Sequence, residues 1–422
     1  MFFRITLIAG LVLVGLGCRY LIVPAQNAAD KQWKHSRDSL ILGQFVQQNG
    51  RLYLYTMDCN PTETGEFSLA CWEMPSLRLT NKRPIEIPLM DLQQGFVIPS
   101  PHLGRQPWLI ITGTVRAALP PTSVVYLIDL PRAEALPEAI PDRYIQLLSL
   151  DDNHLILIDR GSLQTSKLAL RYYSRQDKGM RLQAEWSVPI AVLEVLYGDL
   201  IDGRIRLIYQ AMPDDKTPKG EKKSSVPDDG VGFFALPSSI RACYLDVEKG
   251  KVTKDEVLHN NSTYPWVAVN PADDGMYLFS GSEMYYHKRN NLTLERAMTH
   301  GLLKLYTEWG KDRVFAFPYI VRMDSQGKFI ASVTNPIGEL VVLEASTGRI
   351  RFRDDRHLRW VERALQQVDF PLAGLWMKIL DVAFIPGEKT LLVAAGTGHV
   401  YYYDAENGKL LRVAHVREGL KD

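Results

Sequence analysis

The sequence predicts an all-β fold assembled from one repeated antiparallel unit. The 422-residue chain contains 19 tyrosines, and Val, Ile and Leu recur in short bursts. Glycine (30) and proline (24) punctuate the chain at short intervals. Aromatic and β-branched residues favour strands, whereas glycine and proline mark the turns between them. The pattern therefore indicates many short strands rather than long helices.

One kind of hairpin is repeated near the C-terminus. Gly338–Ile350 and Gly398–Leu410 align without gaps, and a shorter third copy is Tyr244–Val252. Each of the two long copies has an apolar strand, an acidic residue, alanine, two polar residues, glycine, a basic residue and a new strand. Glycine supplies the positive φ that a tight hairpin with a bulge needs. Each copy therefore predicts a hairpin with glycine at its turn.

A second kind of hairpin precedes the first kind along the chain. It has an apolar strand, a polar turn and a more strongly apolar strand. Its copies are Val46–Leu54, Leu150–Leu157, Leu200–Leu207, Pro271–Leu278 and Asp324–Ile330, with weaker copies at 97–111 and 384–393. Two hairpins in succession make a four-stranded antiparallel sheet.

This unit recurs at a period of roughly 40 to 65 residues, which indicates a repeat architecture. A single sheet cannot bury both faces, but sheets stacked radially close into a ring with short exposed edges. The sequence therefore predicts a β-propeller over 38–418, with seven four-stranded blades, and six or eight blades are the alternatives. The predicted blades are 38–90, 91–141, 142–190, 191–260, 261–300, 301–357 and 372–418.

Two insertions interrupt the repeat. The segment 213–227 is too polar to pack in a core, so it predicts a flexible hairpin extension. The segment 355–370 has apolar residues at helical spacing, which predicts a helix. A helix that covers a gap in the ring is the simpler interpretation, and a helix that binds a partner is the alternative.

The N-terminus predicts export. A short basic start ends at Arg4, and an apolar or small run extends from Ile5 to Cys18. This length fits the apolar core of a signal peptide, with cleavage after Ala25, and 26–37 is then a linker. A signal anchor reaching Val23 is one alternative, and lipidation of Cys18 is another. Each of these three alternatives places the rest of the chain outside the cytoplasm.

Cysteine positions suggest one disulfide. Cys59 and Cys71 flank a turn-rich stretch, so a hairpin there is expected to place them opposite each other. Opposed residues on paired strands are close enough for a bridge, and an exported protein is free to form one. Two reduced cysteines on neighbouring strands are the alternative. Cys243 is expected to be a small buried apolar residue.

The turns Glu344–Ile350 and Asp404–Leu410 resemble the repeats of quinoprotein-like propellers. That superfamily includes quinone-dependent dehydrogenases and a cofactor-free lipoprotein of the machinery that assembles outer-membrane β-barrels. The hairpins earlier in each unit resemble WD40-type or YVTN-type repeats. The resemblance covers the last third of the chain best and implies a propeller without implying one function. The tryptophan that commonly follows the turn in quinoprotein repeats is replaced here by Phe352, Arg412 and Lys254.

Charge and motifs exclude several functional classes. The formal net charge is +1, which gives no general attraction for nucleic acid. The sequence has no metalloprotease, Cys-x-x-Cys, nucleophile-elbow or phosphate-loop motif. His154 and His399 fall at hairpins, where a hydrogen-bonded histidine is the simplest interpretation. The acidic pairs 151–152, 273–274 and 354–355 admit a calcium site, but turn chemistry explains aspartate equally well.

These observations predict an exported scaffold in the cell envelope that binds a protein partner or a small ligand. We expect no cofactor and no metal site, and the sequence does not identify catalytic residues. The membrane is contacted through the N-terminal segment if that segment is not cleaved. The alternative is an envelope oxidoreductase of the quinone-dependent type, or a hydrolase, whose site is built from loops facing the central channel.

Overall fold

A computed structural model of the chain separates residues 1–39 from a compact unit that comprises Leu40–Asp422. The fold below concerns the residues that the structure describes. These are 40–59, 66–86, 91–98, 108–115, 122–129, 134–135, 140–141, 145–151, 153–159, 166–176, 179–212, 238–262, 265–300, 317–335, 339–354 and 379–416. The predicted signal segment and both predicted insertions lie outside them.

The strands group into antiparallel sheets, which we number 1 to 7 in chain order. Sheet 1 comprises β1 (Leu40–Gln48), β2 (Arg51–Cys59), β3 (Glu66–Met74) and β4 (Arg78–Glu86). Sheet 2 comprises β5 (Asp91–Ile98), β6 (Trp108–Val115), β7 (Thr122–Asp129), β8 (Glu134–Ala135) and β9 (Ile140–Pro141). Sheet 3 comprises β10 (Ile145–Ser149), β11 (His154–Asp159), β12 (Leu168–Gln176) and β13 (Gly179–Val188).

The remaining sheets repeat the order of sheet 3. Sheet 4 comprises β14 (Val192–Ile201), β15 (Arg204–Ala211), β16 (Ser238–Asp246) and β17 (Val252–Ser262). Sheet 5 comprises β18 (Trp266–Asn270), β19 (Gly275–Ser280), β20 (Glu283–Lys288) and β21 (Leu294–Thr299). Sheet 6 comprises β22 (Phe317–Met323), β23 (Phe329–Asn335), β24 (Leu340–Glu344) and β25 (Ile350–Asp354). Sheet 7 comprises β26 (Ile379–Phe384), β27 (Thr390–Ala395), β28 (His399–Asp404) and β29 (Leu410–His415).

Six of these sheets are four-stranded blades of a β-propeller, as the repeat predicted. Sheet 2 differs, so the prediction of seven four-stranded blades is wrong for the unit 91–141. Its outer side carries β8 and β9, two residues each, which both pair with β7. Proline lacks the N–H that a strand ladder requires. Pro131, Pro137 and Pro141 punctuate this stretch, which accounts for two short strands in place of one long strand.

The hydrophobic core lies between sheets. Separate buried clusters join sheet 3 to sheet 4, sheet 4 to sheet 5, sheet 5 to sheet 6, sheet 6 to sheet 7, and sheet 7 to sheet 1. The first strands of neighbouring sheets contact each other: β22 contacts β26, and β26 contacts β1. The fourth strands therefore lie on the outside of the ring. Sheets 4 to 7 are therefore buried on both faces, because a cluster lies on either side of each.

The ends of the described ring are joined by hydrogen bonds. The backbone N–H of Phe45 in sheet 1 donates to Oδ2 of Asp381 in sheet 7, at 2.9 Å. The Tyr402 hydroxyl of sheet 7 donates to the Pro75 carbonyl of sheet 1, also at 2.9 Å. Arg322 of sheet 6 forms an ion pair with the other oxygen of Asp381, at 3.0 Å. One buried carboxylate thus connects three sheets.

The predicted turn chemistry is confirmed. Gly250, Gly348 and Gly408 have φ of 61°, 68° and 71°, and each hairpin contains a register shift. The predicted hairpin at Val46–Leu54 turns through Asn49 and Gly50, with φ of 49° and 75°. Two consecutive positive φ values are typical of the type I′ turn that Asn-Gly favours.

An aromatic side chain from the preceding sheet packs on two of these turn glycines. A Cβ added at Gly408 would lie 2.5 Å from Cγ of Phe352, and one added at Gly250 would lie 2.0 Å from Cδ1 of Trp186. Phe352, which follows the turn of sheet 6, therefore packs on the turn of sheet 7. The sequence did not indicate Trp186, because its own hairpin has Asp177 and Gly179 two residues apart and so lacks the spacing of the repeat. These contacts fix sheet 3 against sheet 4 and sheet 6 against sheet 7.

Candidate functional site

Exposed apolar side chains concentrate on the outer strands. Five large apolar side chains are exposed among the residues whose burial the structure describes, and all five lie on fourth strands. They are Leu182, Val257, Leu294, Leu411 and Val413. Leu411 and Val413, 52% and 44% exposed, share β29. Apolar side chains that cluster on an exposed surface mark interaction sites more often than single exposed ones.

β29 is also an edge strand of unusual composition. It is the last strand of sheet 7, and in the described part of the chain no strand pairs with its outer side. Its sequence, LLRVAH, contains one permanently charged residue, Arg412. Edge strands usually carry charges that discourage pairing with another chain. We call Leu410–His415, with its outward backbone groups, the β29 edge.

The apolar surface of the β29 edge continues into the core. Val413 lies opposite Tyr401, and Leu410 lies opposite Tyr403. Leu410 and Tyr401 are half-buried and pack against the cluster between sheets 6 and 7, as Phe352 of sheet 6 does. Leu411 and Val413 therefore lie on a strand that the core holds in place. Little side-chain entropy is lost when a surface of this kind is covered.

Arg412 supplies the charge of this edge. Its guanidinium lies 5.2 Å from the centroid of the Tyr402 ring. No carboxylate pairs with Arg412 among the described residues. Some cations of other outer strands do have such partners, since Arg78 pairs with Glu73, Lys254 with Glu256, and Arg351 with Glu344.

A histidine–threonine cluster closes the end of the β29 edge. Nδ1 of His399 lies 3.1 Å from Oγ1 of Thr397, and Nε2 of His415 lies 3.1 Å from the Thr397 carbonyl. A carbonyl oxygen accepts hydrogen bonds, so His415 donates through Nε2–H. His399 is thus a hydrogen-bonded histidine, as the sequence predicted. His154 behaves likewise, with Nδ1 2.8 Å from both oxygens of Asp151.

His259 of sheet 4 and His287 of sheet 5 form a second polar cluster. Their Nε2 atoms lie 2.9 Å apart, and the ring centroids are 5.1 Å apart. For two Nε2 atoms that lie 2.9 Å apart, a centroid separation of 5.1 Å is close to the maximum. The two nitrogens therefore point directly at each other. Nitrogens that share a metal ion instead direct their lone pairs at a third point. The geometry is that of a hydrogen bond between two imidazoles.

The protonation of this pair follows from its partners. Nδ1 of His287 donates to the Leu292 carbonyl at 2.9 Å, which leaves Nε2 of His287 to accept from Nε2–H of His259. Burial lowers the pKa of His259 to about 4, and it also lowers the pKa of His287. Both rings are therefore neutral near pH 7. The pair joins two sheets and is structural.

The buried ions of sheet 4 are also structural. Arg206 is fully buried, and its Nε and Nη2 donate to the two oxygens of Asp199 at 2.9 and 2.6 Å. Its Nη1 donates to the Arg289 carbonyl of sheet 5. Bidentate contact satisfies both charges away from water. Arg206 therefore links two sheets and presents no group to a ligand.

Three of the acidic residues considered for calcium, Asp151, Asp273 and Asp274, are engaged by hydrogen-bond donors of the protein. Asp151 accepts from the backbone of Asn153 at 2.7 Å, Asp273 accepts from Tyr286 at 2.6 Å, and Asp274 accepts from Arg289 at 2.9 Å. Among the described residues, no group of three or more His, Cys, Asp or Glu side chains could hold a metal ion.

The expected opposition of Cys59 and Cys71 is wrong. The register places Phe67 opposite Cys59 and Tyr55 opposite Cys71. A four-residue offset separates the two cysteines by about 13 Å along the strands, at about 3.3 Å per residue, and a bridge requires Cα atoms within about 7 Å. The register therefore does not support the predicted disulfide. Cys243 is buried as predicted, and burial raises the pKa of its thiol to about 12. Cys18 lies outside the described residues.

No membrane-crossing helix occurs in the described ranges, since none there is long and apolar enough. The segment that predicts a signal or anchor, 1–25, lies outside those ranges, so its role stays a prediction.

Comparison with solved structures identifies the fold. Hsv2 from Kluyveromyces lactis is similar, with a TM-score of 0.50, 11% identity, and coverage of 90% of this chain and 99% of that one. Sqt1 from Saccharomyces cerevisiae is similar, with a TM-score of 0.47, 11% identity, and coverage of 90% and 86%. Both are WD40-type β-propellers.

At 11% identity the likeness to Hsv2 supports the β-propeller fold alone and carries no binding property to this chain. Protein-family models give no match to the sequence, and curated proteins give none either. The resemblance to quinoprotein-like repeats stays a prediction.

Proposed function

We propose that this protein is an exported scaffold that binds a protein partner in the cell envelope through the outer rim of its propeller. The observation that carries the proposal is the β29 edge, where Leu411 and Val413 are both exposed on a strand with a single cation. Such a surface is unfavourable in water unless a partner covers it. Export is supported by the basic start and the apolar run from Ile5 to Cys18.

The ring geometry suits this role. The buried clusters between sheets hold the outer strands in place, so a rim surface is formed before the partner arrives. Preorganisation lowers the entropic cost of association. Exposed side chains on the outer strands, such as Leu411 and Val413, can also be replaced without removing core contacts.

We also infer that sheet 2 is a seventh blade. Its first strand, β5, contacts β1 of sheet 1, as first strands of the other neighbouring sheets contact each other. A sheet between sheets 1 and 3 in the chain would then complete the ring.

Affinity capture from envelope extracts tests the proposed function. Tagged wild-type protein is compared with a Leu411→Ser, Val413→Ser variant and with a Leu294→Ser variant, since Leu294 is similarly exposed (47%) on the outer strand β21. A partner that is retained by the wild type and the Leu294→Ser variant, but lost from the β29 variant, supports the proposal. Equal retention by all three proteins refutes the rim as the binding surface.

A further inference from the structure

The β29 edge has the backbone groups needed to extend a sheet. Each edge strand presents N–H and C=O groups on the side that faces away from its neighbour. The inner side of β29 pairs with β28 from His399–His415 to Tyr403–Leu410. Among the described residues its outer side has no strand partner. A strand added there would supply hydrogen-bond partners for the outward backbone groups.

Side chains along this edge differ in chemistry between the two faces of sheet 7. Val413 lies opposite Tyr401, which packs toward sheet 6. Arg412 lies opposite Tyr402, which packs toward sheet 1. Successive residues of a strand point to opposite faces, so an added strand meets aliphatic carbon on one face and a cation on the other.

We propose that the β29 edge binds an extended segment of a partner protein by adding it to sheet 7 as a fifth strand, and that this segment places an acidic residue between aliphatic residues. This inference rests on the proposed function and specifies the partner's chemistry. The acidic residue is assigned from Arg412, for which the described residues offer no carboxylate. Opposite charges on adjacent strands stabilise the pairing, and aliphatic neighbours cover Leu411 and Val413.

Sheet 5 provides a matched comparison. Its outer strand β21 carries exposed Leu294, and Arg296 lies 4.8 Å from the Tyr286 ring, much as Arg412 lies over Tyr402. Glu295 stands between Leu294 and Arg296 on β21 and pairs with Lys288. That carboxylate would repel an acidic segment. An acidic strand is therefore expected to select β29 over β21.

A peptide-binding measurement with the full-length protein tests the inference. The probe is a fluorescein-labelled peptide, Thr-Val-Asp-Val-Thr-Val, and its control carries Lys in place of Asp. We expect the Asp peptide to bind about two- to fivefold more tightly, the range of a cross-strand ion pair. Arg412→Glu should reverse this preference, whereas Arg296→Glu should leave it unchanged. Both residues are exposed, and unchanged melting temperatures would show that both variants fold.

Backbone dependence separates strand addition from simple charge attraction. Methylation of alternate backbone nitrogens in the Asp peptide removes hydrogen bonds but keeps every charge. Strand addition predicts a loss of affinity of about tenfold or more. Equal binding of the methylated peptide would overturn the inference, as would an Arg412→Glu variant that still prefers Asp. In either case, partner capture that still depends on Leu411 and Val413 would leave the proposed function standing.

Two other occupants of the edge would also overturn the inference. If deletion of residues 1–37 raises peptide affinity more than about tenfold, the chain's own N-terminal segment covers the edge. If the wild type is a dimer by light scattering and Val413→Lys makes it a monomer, a second copy covers the edge. A monomer whose peptide affinity is unchanged by the deletion supports an external partner.

Discussion

Replacement of Gly250 by alanine is expected to measure how tightly one sheet is held against the next. Gly250 has a φ of 61°, and a Cβ added there would lie 2.0 Å from Cδ1 of Trp186 and 2.4 Å from Nε1. Trp186 cannot easily withdraw, because it packs against the core between sheets 3 and 4 and stacks on Tyr172 with ring centroids 5.5 Å apart. The added methyl group must therefore displace either the backbone of the Gly250 turn or the Trp186 side chain.

Gly203 is the matched control. Its φ is 71°, but a Cβ added there would have no atom within 4 Å. Gly203→Ala should cost about 1–2 kcal/mol of unfolding free energy, from left-handed backbone strain alone. Gly250→Ala should cost a further 1–3 kcal/mol or so, the usual range for overpacking. Urea unfolding followed by circular dichroism gives both values.

The double variant Trp186→Ala, Gly250→Ala tests the cause. If the clash with Trp186 is responsible, the two substitutions should be non-additive by at least about 1 kcal/mol in the favourable direction. A cost at Gly250 that does not exceed the cost at Gly203 would refute the tight contact between Trp186 and this turn. Additive effects in the double variant would refute Trp186 as its cause.

Three further predictions concern stability and cellular location. Because the pKa of His259 is lowered, the unfolded chain binds a proton at this residue below about pH 6.5, while the folded chain stays neutral there until about pH 4. As the pH is lowered through this window, the free energy of unfolding should fall by about 1–3 kcal/mol. His259→Gln should reduce this dependence of stability on pH. If the free energy of unfolding of that variant depends on pH as steeply as that of the wild type, the lowered pKa of His259 is contradicted. Asp381→Ala should cost about 1–3 kcal/mol in urea unfolding, because the buried Phe45 N–H loses its acceptor. An unfolding free energy equal to that of the wild type would mean that this carboxylate does not help close the ring. Fractionation should find the protein outside the cytoplasm, and deletion of Met1–Ala25 should retain it in the cytosol; full-length protein found soluble in the cytosol would rule out export.

The sequence by itself determined the hairpins, because turn chemistry is local. Gly250, Gly348 and Gly408 were placed at turns by the residues around them, and each has the positive φ that the pattern required. The alternation of two hairpin types then predicted four-stranded units and a propeller. No long-range information was needed, since one sheet with two apolar faces has few ways to bury both.

Contacts between distant residues were decided by the tertiary structure. The register of β2 and β3 sets Phe67 rather than Cys71 opposite Cys59, and a shift of a few residues in a turn-rich loop cannot be read from composition. Asp381 accepts from a residue 336 positions away, so no local pattern reveals its role. The β29 edge likewise became a candidate site once the ring showed which strands lie outermost. Whether a residue is buried, and which residue it binds, depends on neighbours that come into contact only when the ring closes. The sequence therefore predicted the fold more fully than the site.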